Sequence, residues 1–428
     1  MSDAARHKTR GAARLRWCCV IAAGLAIGTP GTAGAQSVPD LPSVREQSAP
    51  NYRARGTRFG AAMVYLSVGV RQTYNDNIFA TDDEPAADFV TKVRPRARIV
   101  SDWRRHRLGG EVEAKATRHA RNSDENVVDY GARLDGYVDV GRRGRLGAEV
   151  SASRAHEDRL SPNDPNGETR TPIRRYAADA TAQQRIGRLG LSFAGSYESL
   201  DFGDVDARND ANADEINNDD RDRRVTRVAG RIGYGLSARY EPFLQAAYDR
   251  VSYDAERDDV GLDRDSKGME ISAGSRYRPN GFTVVEARLG FRRQNLDDPS
   301  LGNVEGLTAE LSLLSNLTPA TTLDVTGHRL VQQSTLTSTS AFFSTRLHGQ
   351  LHHALRPDLL IGAEAALARH TFQGIFREDL IFGAGLNARY DPSPFLRLSL
   401  DYGFTKRASN ADAAFQRNRI TLGAEVRY

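Results

Sequence analysis

Charged residues at alternate positions are the first sign of chemistry in this chain. Lys92, Arg94, Arg96 and Arg98 recur at every second residue, and Glu111, Glu113 and Lys115 repeat the spacing a short way on. A period of two places each set on one face of an extended strand. With a turn near 103–106, antiparallel pairing sets Arg98 opposite Glu111 and Arg96 opposite Glu113. Such a ladder can neutralise itself and stiffen a wall, which is the plainer reading. It can also offer a charged stripe that guides anions or sugars.

Two further groups have residue types that could carry chemistry. His348, Gln350 and His352 share a face by parity, and Glu364 on the following segment can come opposite Gln350. A histidine beside a carboxylate is part of a hydrolytic triad, but the nucleophile must lie within hydrogen-bond reach of the base. Ser344 shares the face and lies too far along the strand from His352, so no catalytic residue and no enzyme is expected. The stretch 201–222 holds nine acids, with Asp210, Asn212 and Asp214 at calcium-loop spacing. An EF-hand would need glycine where Glu215 stands and glutamate where Arg221 stands. The expectation is a solvated external loop near the divalent ions of lipopolysaccharide, with no dedicated metal site and no cofactor.

The elements that must carry these residues are strands. Ile420, Leu422, Ala424, Val426 and Tyr428 fall on one face of the last segment, and Thr421, Gly423, Glu425 and Arg427 fall on the other. A one-residue slip would put Glu425 and Arg427 in the apolar layer, so the register is fixed. Leu108, Val112, Ala114 and Ala116 repeat the pattern, as do Met269, Ile271, Ala273 and Tyr277. No stretch beyond the N-terminus approaches 18 uninterrupted apolar residues, and mean hydropathy is −0.54. Helical membrane spans are therefore excluded, while alternating segments of roughly ten residues are the signature of transmembrane strands.

From 64–74 to 419–428, about 18 such segments are read, with 16 as the other even number. An all-β, up-and-down antiparallel barrel over 61–428 is expected. Three segments fit less well: 175–184 offers mainly Ala178, Ala180 and Ala182 outward, 322–329 is short with Arg329 on its outer face, and Pro95 predicts a bulge in its strand. Connectors alternate between short and long. Turns such as 141–144, 185–188 and 391–394 are rich in turn-forming residues, while 155–174, 199–224 and 252–267 are long and polar. That asymmetry places the short turns and the N-terminus on the periplasmic side. Aromatics fall at strand ends in two girdles: Trp103, Tyr234, Tyr277, Tyr390 and Tyr428 below; Tyr74, Tyr130, Tyr176, Tyr197, Tyr248, Phe291, Phe343, Phe382 and Tyr402 above.

Residues 1–35 read as a cleaved signal peptide: Arg6, Lys8, Arg10, Arg14 and Arg16, then an apolar run from Trp17 to Ile27, then Ala33-Gly34-Ala35. They hold both cysteines, Cys18 and Cys19, so no thiol or disulfide is expected in the mature chain. They also hold five bases and one acid. The remainder is neutral, with 54 of each sign, and the basic isoelectric point near 9.0 belongs to the leader. Nucleic acid is accordingly no expected partner. Residues 36–60, with Pro39, Pro42 and Pro50, read as a polar periplasmic linker that could also bind a partner or plug a pore. A folded plug of the siderophore-transporter kind is not expected in the short stretch before Val64.

The segment Tyr74-Asn75-Asp76-Asn77-Ile78-Phe79 resembles the opening motif of the putative beta-barrel porin type 2 family. With the strand pattern and terminal aromatic, the resemblance covers roughly residues 60–428. It implies a channel-like barrel in the outer membrane of a Gram-negative bacterium, often associated with export of extracellular polysaccharide. The expected partners are outer-membrane lipid and lipopolysaccharide, the barrel-assembly machinery that takes up the closing strand, and periplasmic polysaccharide-export proteins. A non-conducting scaffold of an envelope assembly is the competing expectation.

Overall fold

The computed structural model describes residues 41–46, 50–208, 215–334, 339, 341–411 and 413–428. The leader, much of the linker, and Asp210, Asn212 and Asp214 lie outside the described residues. Alternation along the chain becomes eighteen antiparallel staves, each hydrogen-bonded to the next in sequence. They are β1 (Ala62–Asn75), β2 (Asp88–Ser101), β3 (Arg107–His119), β4 (Val127–Val140), β5 (Gly144–His156) and β6 (Pro172–Ile186). Next come β7 (Leu189–Phe202), β8 (Arg223–Tyr234), β9 (Tyr240–Tyr253), β10 (Ser266–Asn280), β11 (Thr283–Leu296) and β12 (Val304–Thr318). The last six are β13 (Thr321–Gln333), β14 (Ala341–Arg356), β15 (Leu359–Phe372), β16 (Glu378–Ser393), β17 (Leu396–Ser409) and β18 (Phe415–Arg427).

The ring closes where β1 meets β18, with Tyr74 opposite Ile420 and Val68 opposite Val426. Leu66 and Tyr428 exchange backbone hydrogen bonds of 3.2 and 2.8 Å, so the last residue belongs to the seam. Closure satisfies every edge that lipid would otherwise expose, which is why membrane sheets are barrels. The outer face carries Leu108, Val112, Leu134, Val150, Leu244, Ile271, Leu289, Leu400 and Leu422, all exposed to the surrounding phase. Periplasmic turns are as short as 187–188, where Gly187 takes φ +59° that a side chain would strain. Of the expected girdle residues, all but Phe343 lie exposed on the outer face.

Two local expectations are overturned. Pro95 introduces no bulge: Val93 faces Ala116 and Arg96 faces Glu113 in one unbroken register, and Pro95 still pairs with Val68 of β1. The proline omits a ladder bond without an added residue, so the strand continues straight. Phe343 is buried rather than in the outer girdle. Pairing of β12 with β13 stops at Ala309 and Arg329, and beyond it the β13–β14 hairpin leaves the wall. Phe343 then packs with Ala341, Val331, Leu296 and Val304, the last being on the lumen parity of β12. The outward Arg329 stacks on the Phe343 ring at 4.5 Å and donates to the Leu307 carbonyl and Thr345 Oγ1.

Candidate functional site: a charged lumen narrowed from both ends

Parity that sends leucines into lipid sends charges into the lumen. On β2 and β3, Arg94 and Arg96 converge on Glu113 at 2.6 and 3.0 Å, and Arg96 also reaches Glu111 at 3.5 Å. Arg98 stands opposite Glu111. Lys92 differs from the rest of the ladder, since its cross-strand neighbours are Thr117 and Arg71. The opposing wall is similarly self-compensated: across β8 to β11, Arg231 and Arg276 share Glu286 at 2.7 and 2.6 Å, Arg288 meets Glu270 at 3.1 Å, and Arg292 meets Asp249 at 2.6 Å. Carboxylates and arginines shared in this way fix the wall geometry, and on the well-buried β8 to β11 wall a lost partner would strand a charge away from water.

The external mouth is narrowed by residues 157–171, which join β5 to β6. Leu160 packs with Ala80 and Phe415 beside the seam, and Arg407 Nη1 donates to its carbonyl at 3.4 Å. Two buried ion pairs hold the segment: Arg159 with Glu125 at 2.6 Å, and Glu157 with Arg221 at 2.7 Å. Ser334 Oγ at the tip of the β13–β14 hairpin donates to Asn163 Oδ1 at 3.1 Å, and Arg264 Nη1 donates to the Ser334 and Thr339 carbonyls at 3.1 and 2.9 Å. The β5–β6 and β13–β14 connections sit eight staves apart in a ring of eighteen. Contact between them therefore bridges the mouth.

At the periplasmic end, residues 41–46 lie against the inner wall. The Val44 N–H donates to Thr322 Oγ1 at 2.8 Å, Asn316 Nδ2 to the Pro42 carbonyl at 3.2 Å, and Arg389 Nη1 to the Arg45 carbonyl at 3.2 Å. Val44 is buried there. The polar, proline-bearing stretch thus lines the lower lumen at this point.

The histidine set is brought together without a nucleophile. Gln350 Nε2 donates to Glu364 Oε2 at 3.1 Å and His348 Nε2 stands 3.6 Å from the same oxygen, while Gly362 faces His352. Ser344 lies roughly 26 Å along the strand from His352 at about 3.3 Å per residue. It faces His370, which faces Asp379, so a serine, histidine and carboxylate do occur in one row. The Asp379 oxygens are taken by Arg377 at 2.8 Å and Ser409 at 2.6 Å, however, and His370 packs on Phe342 with Nδ1 unpartnered. The row forms no hydrogen-bonded relay.

A cation-rich wall at β17, β18, β1 and β2 was not picked out from the sequence. Arg417, Arg419 and Arg71 share the lumen parity with Lys92. Extending the alternation of the closing strand upstream of Arg419 would have found Arg417; nothing local marks Asp158, the carboxylate the inward segment brings to it.

A closed ring with an apolar exterior, a charged interior and inward-folded external loops defines a porin-like outer-membrane β-barrel. The sequence matches the family described as Putative beta-barrel porin 2 over residues 49–428, and the chain belongs to that family. No curated protein matches it. Among solved structures it is similar to the outer membrane protein OpdK of Pseudomonas aeruginosa, at 11% identity and TM-score 0.45, covering 85% of this chain and 99% of that one. It is also similar to a BenF-like porin of Pseudomonas fluorescens Pf-5, at 12% identity and TM-score 0.45, covering 86% and 100%. A mutant ferric enterobactin receptor of Pseudomonas aeruginosa is similar at 8% identity and TM-score 0.46, covering 87% and 81%.

Proposed function

We propose that this barrel is a non-enzymatic channel that passes small polar solutes across the outer membrane through a pore narrowed at both ends. The observation that carries this reading is the charged lumen itself. A scaffold needs no polar interior, whereas here ion pairs line both walls and the external segment that crosses the mouth is held by polar contacts. Such a segment reduces the bore of a ring otherwise wide enough for an aqueous lumen. The finer reading raised by the family resemblance, a conduit or accessory for extracellular polysaccharide with periplasmic export partners, would require residues 41–46 and 157–171 to withdraw to admit a polymer. Lipid and lipopolysaccharide outside, and the assembly machinery at the closing strand, complete the proposed partners. Full-length barrel reconstituted in a planar bilayer should show stepwise conductance below that of an unobstructed pore of this size; a correctly folded barrel that stays silent would favour the scaffold.

A further inference from the structure

The outer face carries an arrangement that a lipid-facing wall does not need. Near the external ends, on the outward parity, Arg154 of β5 stands directly opposite Arg174 of β6. Four staves on, Arg250 of β9 stands directly opposite Lys267 of β10. All four side chains are exposed. Like charges facing one another across a ladder destabilise a sheet. Other external cations on this face have neutral or acidic neighbours: Arg118 faces Thr91, Lys406 lies between Phe382 and Gln416, and Arg293 lies between Met269 and Glu305.

The protein does little to offset the two pairs. Among the described residues, the Arg154 guanidinium has no hydrogen bond or ion pair, and that of Arg250 donates only to Ser252 Oγ, at 3.2 Å. Arg174 reaches Asp201 at 3.4 Å and Lys267 reaches Asp297 at 3.5 Å, with exposed groups on both sides, and such surface contacts add little. Arg224 of β8, between the two pairs, is matched by Asp254 at 3.2 Å.

The height of these cations on the wall indicates what meets them. Tyr130 shares the row of Arg154, while Tyr176 and Tyr248 lie two residues nearer the midplane than Arg174 and Arg250. All three rings are exposed on the outer face. Tyrosines of this girdle mark the headgroup level, so the cations stand at it or about 7 Å beyond it, in the layer of lipid phosphates. In the outer leaflet of an outer membrane those phosphates belong to the lipid A headgroup of lipopolysaccharide. Below Arg174 the outward side of β6 continues as Tyr176, Ala178, Ala180 and Ala182, with Val150 and Leu146 on one flank and Tyr197 and Phe193 on the other. Small side chains between bulky ones leave a shallow furrow in line with the first cation pair.

We propose that Arg154 with Arg174, and Arg250 with Lys267, are two seats for lipid A phosphate, and that the furrow along β6 receives an acyl chain beneath the first. A phosphate monoester brings between one and two negative charges and three acceptor oxygens, so one group takes charge-assisted hydrogen bonds from both cations and converts their repulsion into a shared attraction. The inference gives residues to the lipopolysaccharide contact proposed above. It rests on the outer-membrane setting and orientation of the barrel and not on conduction.

The test is native mass spectrometry of the full-length barrel in detergent, titrated with bisphosphorylated lipid A. The same lipid freed of its phosphates, phosphatidylglycerol and inorganic phosphate are the comparators. Two lipid A molecules should bind, and each comparator should bind far more weakly. Arg154→Gln with Arg174→Gln should weaken one binding event about tenfold, and Arg250→Gln with Lys267→Gln the other, as expected for loss of charge-assisted hydrogen bonds. Lys406→Gln removes an exposed cation that has no cationic neighbour and should change neither. Retention of the boiling-dependent mobility shift shows that each variant is folded. A ligand seat also differs from a structural role in the sign of a stability effect. Without lipid A, Arg154→Gln should unfold on heating no earlier than the parent, because it relieves a like-charge contact; with lipid A present it should unfold earlier. Equal affinity in the charge variants, or binding of dephosphorylated lipid, phosphatidylglycerol or inorganic phosphate as tight as that of lipid A, would overturn the assignment. Because the titration reads no current, a silent barrel that binds lipid A through these residues removes the channel and keeps the seats. A conducting barrel whose variants bind lipid A unchanged does the reverse.

Discussion

Single residues in this protein are set by what burial does to charge. Asp222, at the base of the long acidic loop before β8, accepts a 2.6 Å hydrogen bond from the Phe202 N–H. Burial pushes its carboxyl up to about 6 from the ordinary 3.8, and Asp201, Asp219 and Asp254 add to the effect against that hydrogen bond. The folded loop thus holds this proton more tightly than the unfolded chain does. Its packing is most favourable below about pH 4, weakens as pH rises through about 6, and is level above that. Asp222→Asn keeps an oxygen acceptor and removes the charge. Protease nicking of loop 203–222 should therefore slow in the variant at pH 7.5 and come much closer to the parent at pH 4.5; a difference of equal size at both values would place the cause elsewhere. Asp158 is the opposite case: burial would raise its carboxyl, but Arg170, Arg417, the Leu160 N–H and Lys92 together hold it below the usual range.

At the scale of elements, the decisive features are the two that leave the wall. Strands of 12 to 16 residues exceed the nine to eleven or so that cross the hydrocarbon layer, and the surplus rises on the external side. There, β13 and β14 bend over the mouth until Ser334 meets Asn163 of the opposite connection. Asn163→Cys with Ser334→Cys would place a cysteine pair at that contact, the natural Cys18 and Cys19 lying in the leader that is expected to be removed. Oxidised, the pair should cross-link and hold conductance at its low level; reduced, the same molecules should conduct more, as the hairpin and the segment part. Identical currents in both states would mean that the contact does not govern the pore. The hairpin also explains why Phe343 could not be placed by parity: alternation says which side of a strand a residue takes, and a strand that turns inward gives its outer side a protein partner.

For the whole molecule, a porin-like barrel of the outer membrane is expected to reach it with its leader removed, and protein recovered from that membrane should begin at Gln36 on N-terminal sequencing; an intact Met1 would mean the leader is retained. Stave number, closing strand, lipid face and lumen parity were legible in the sequence, because each depends on a period of two that local order imposes and lipid enforces. Strand ends were read short, since outside the hydrocarbon layer both faces are wet and alternation fades. The ladder was legible for the same reason, down to Arg96 facing Glu113. The surroundings of Lys92 were not. The groups around it come from β18, sixteen staves later in the chain, and from a connection that carries no periodic signal. The sequence by itself thus determined a closed, charged-lumen barrel. Only the tertiary structure decided which lumen charges pair beyond the adjacent stave, as Arg231 does with Glu286, because that depends on ring closure and on how the connections fold into the pore.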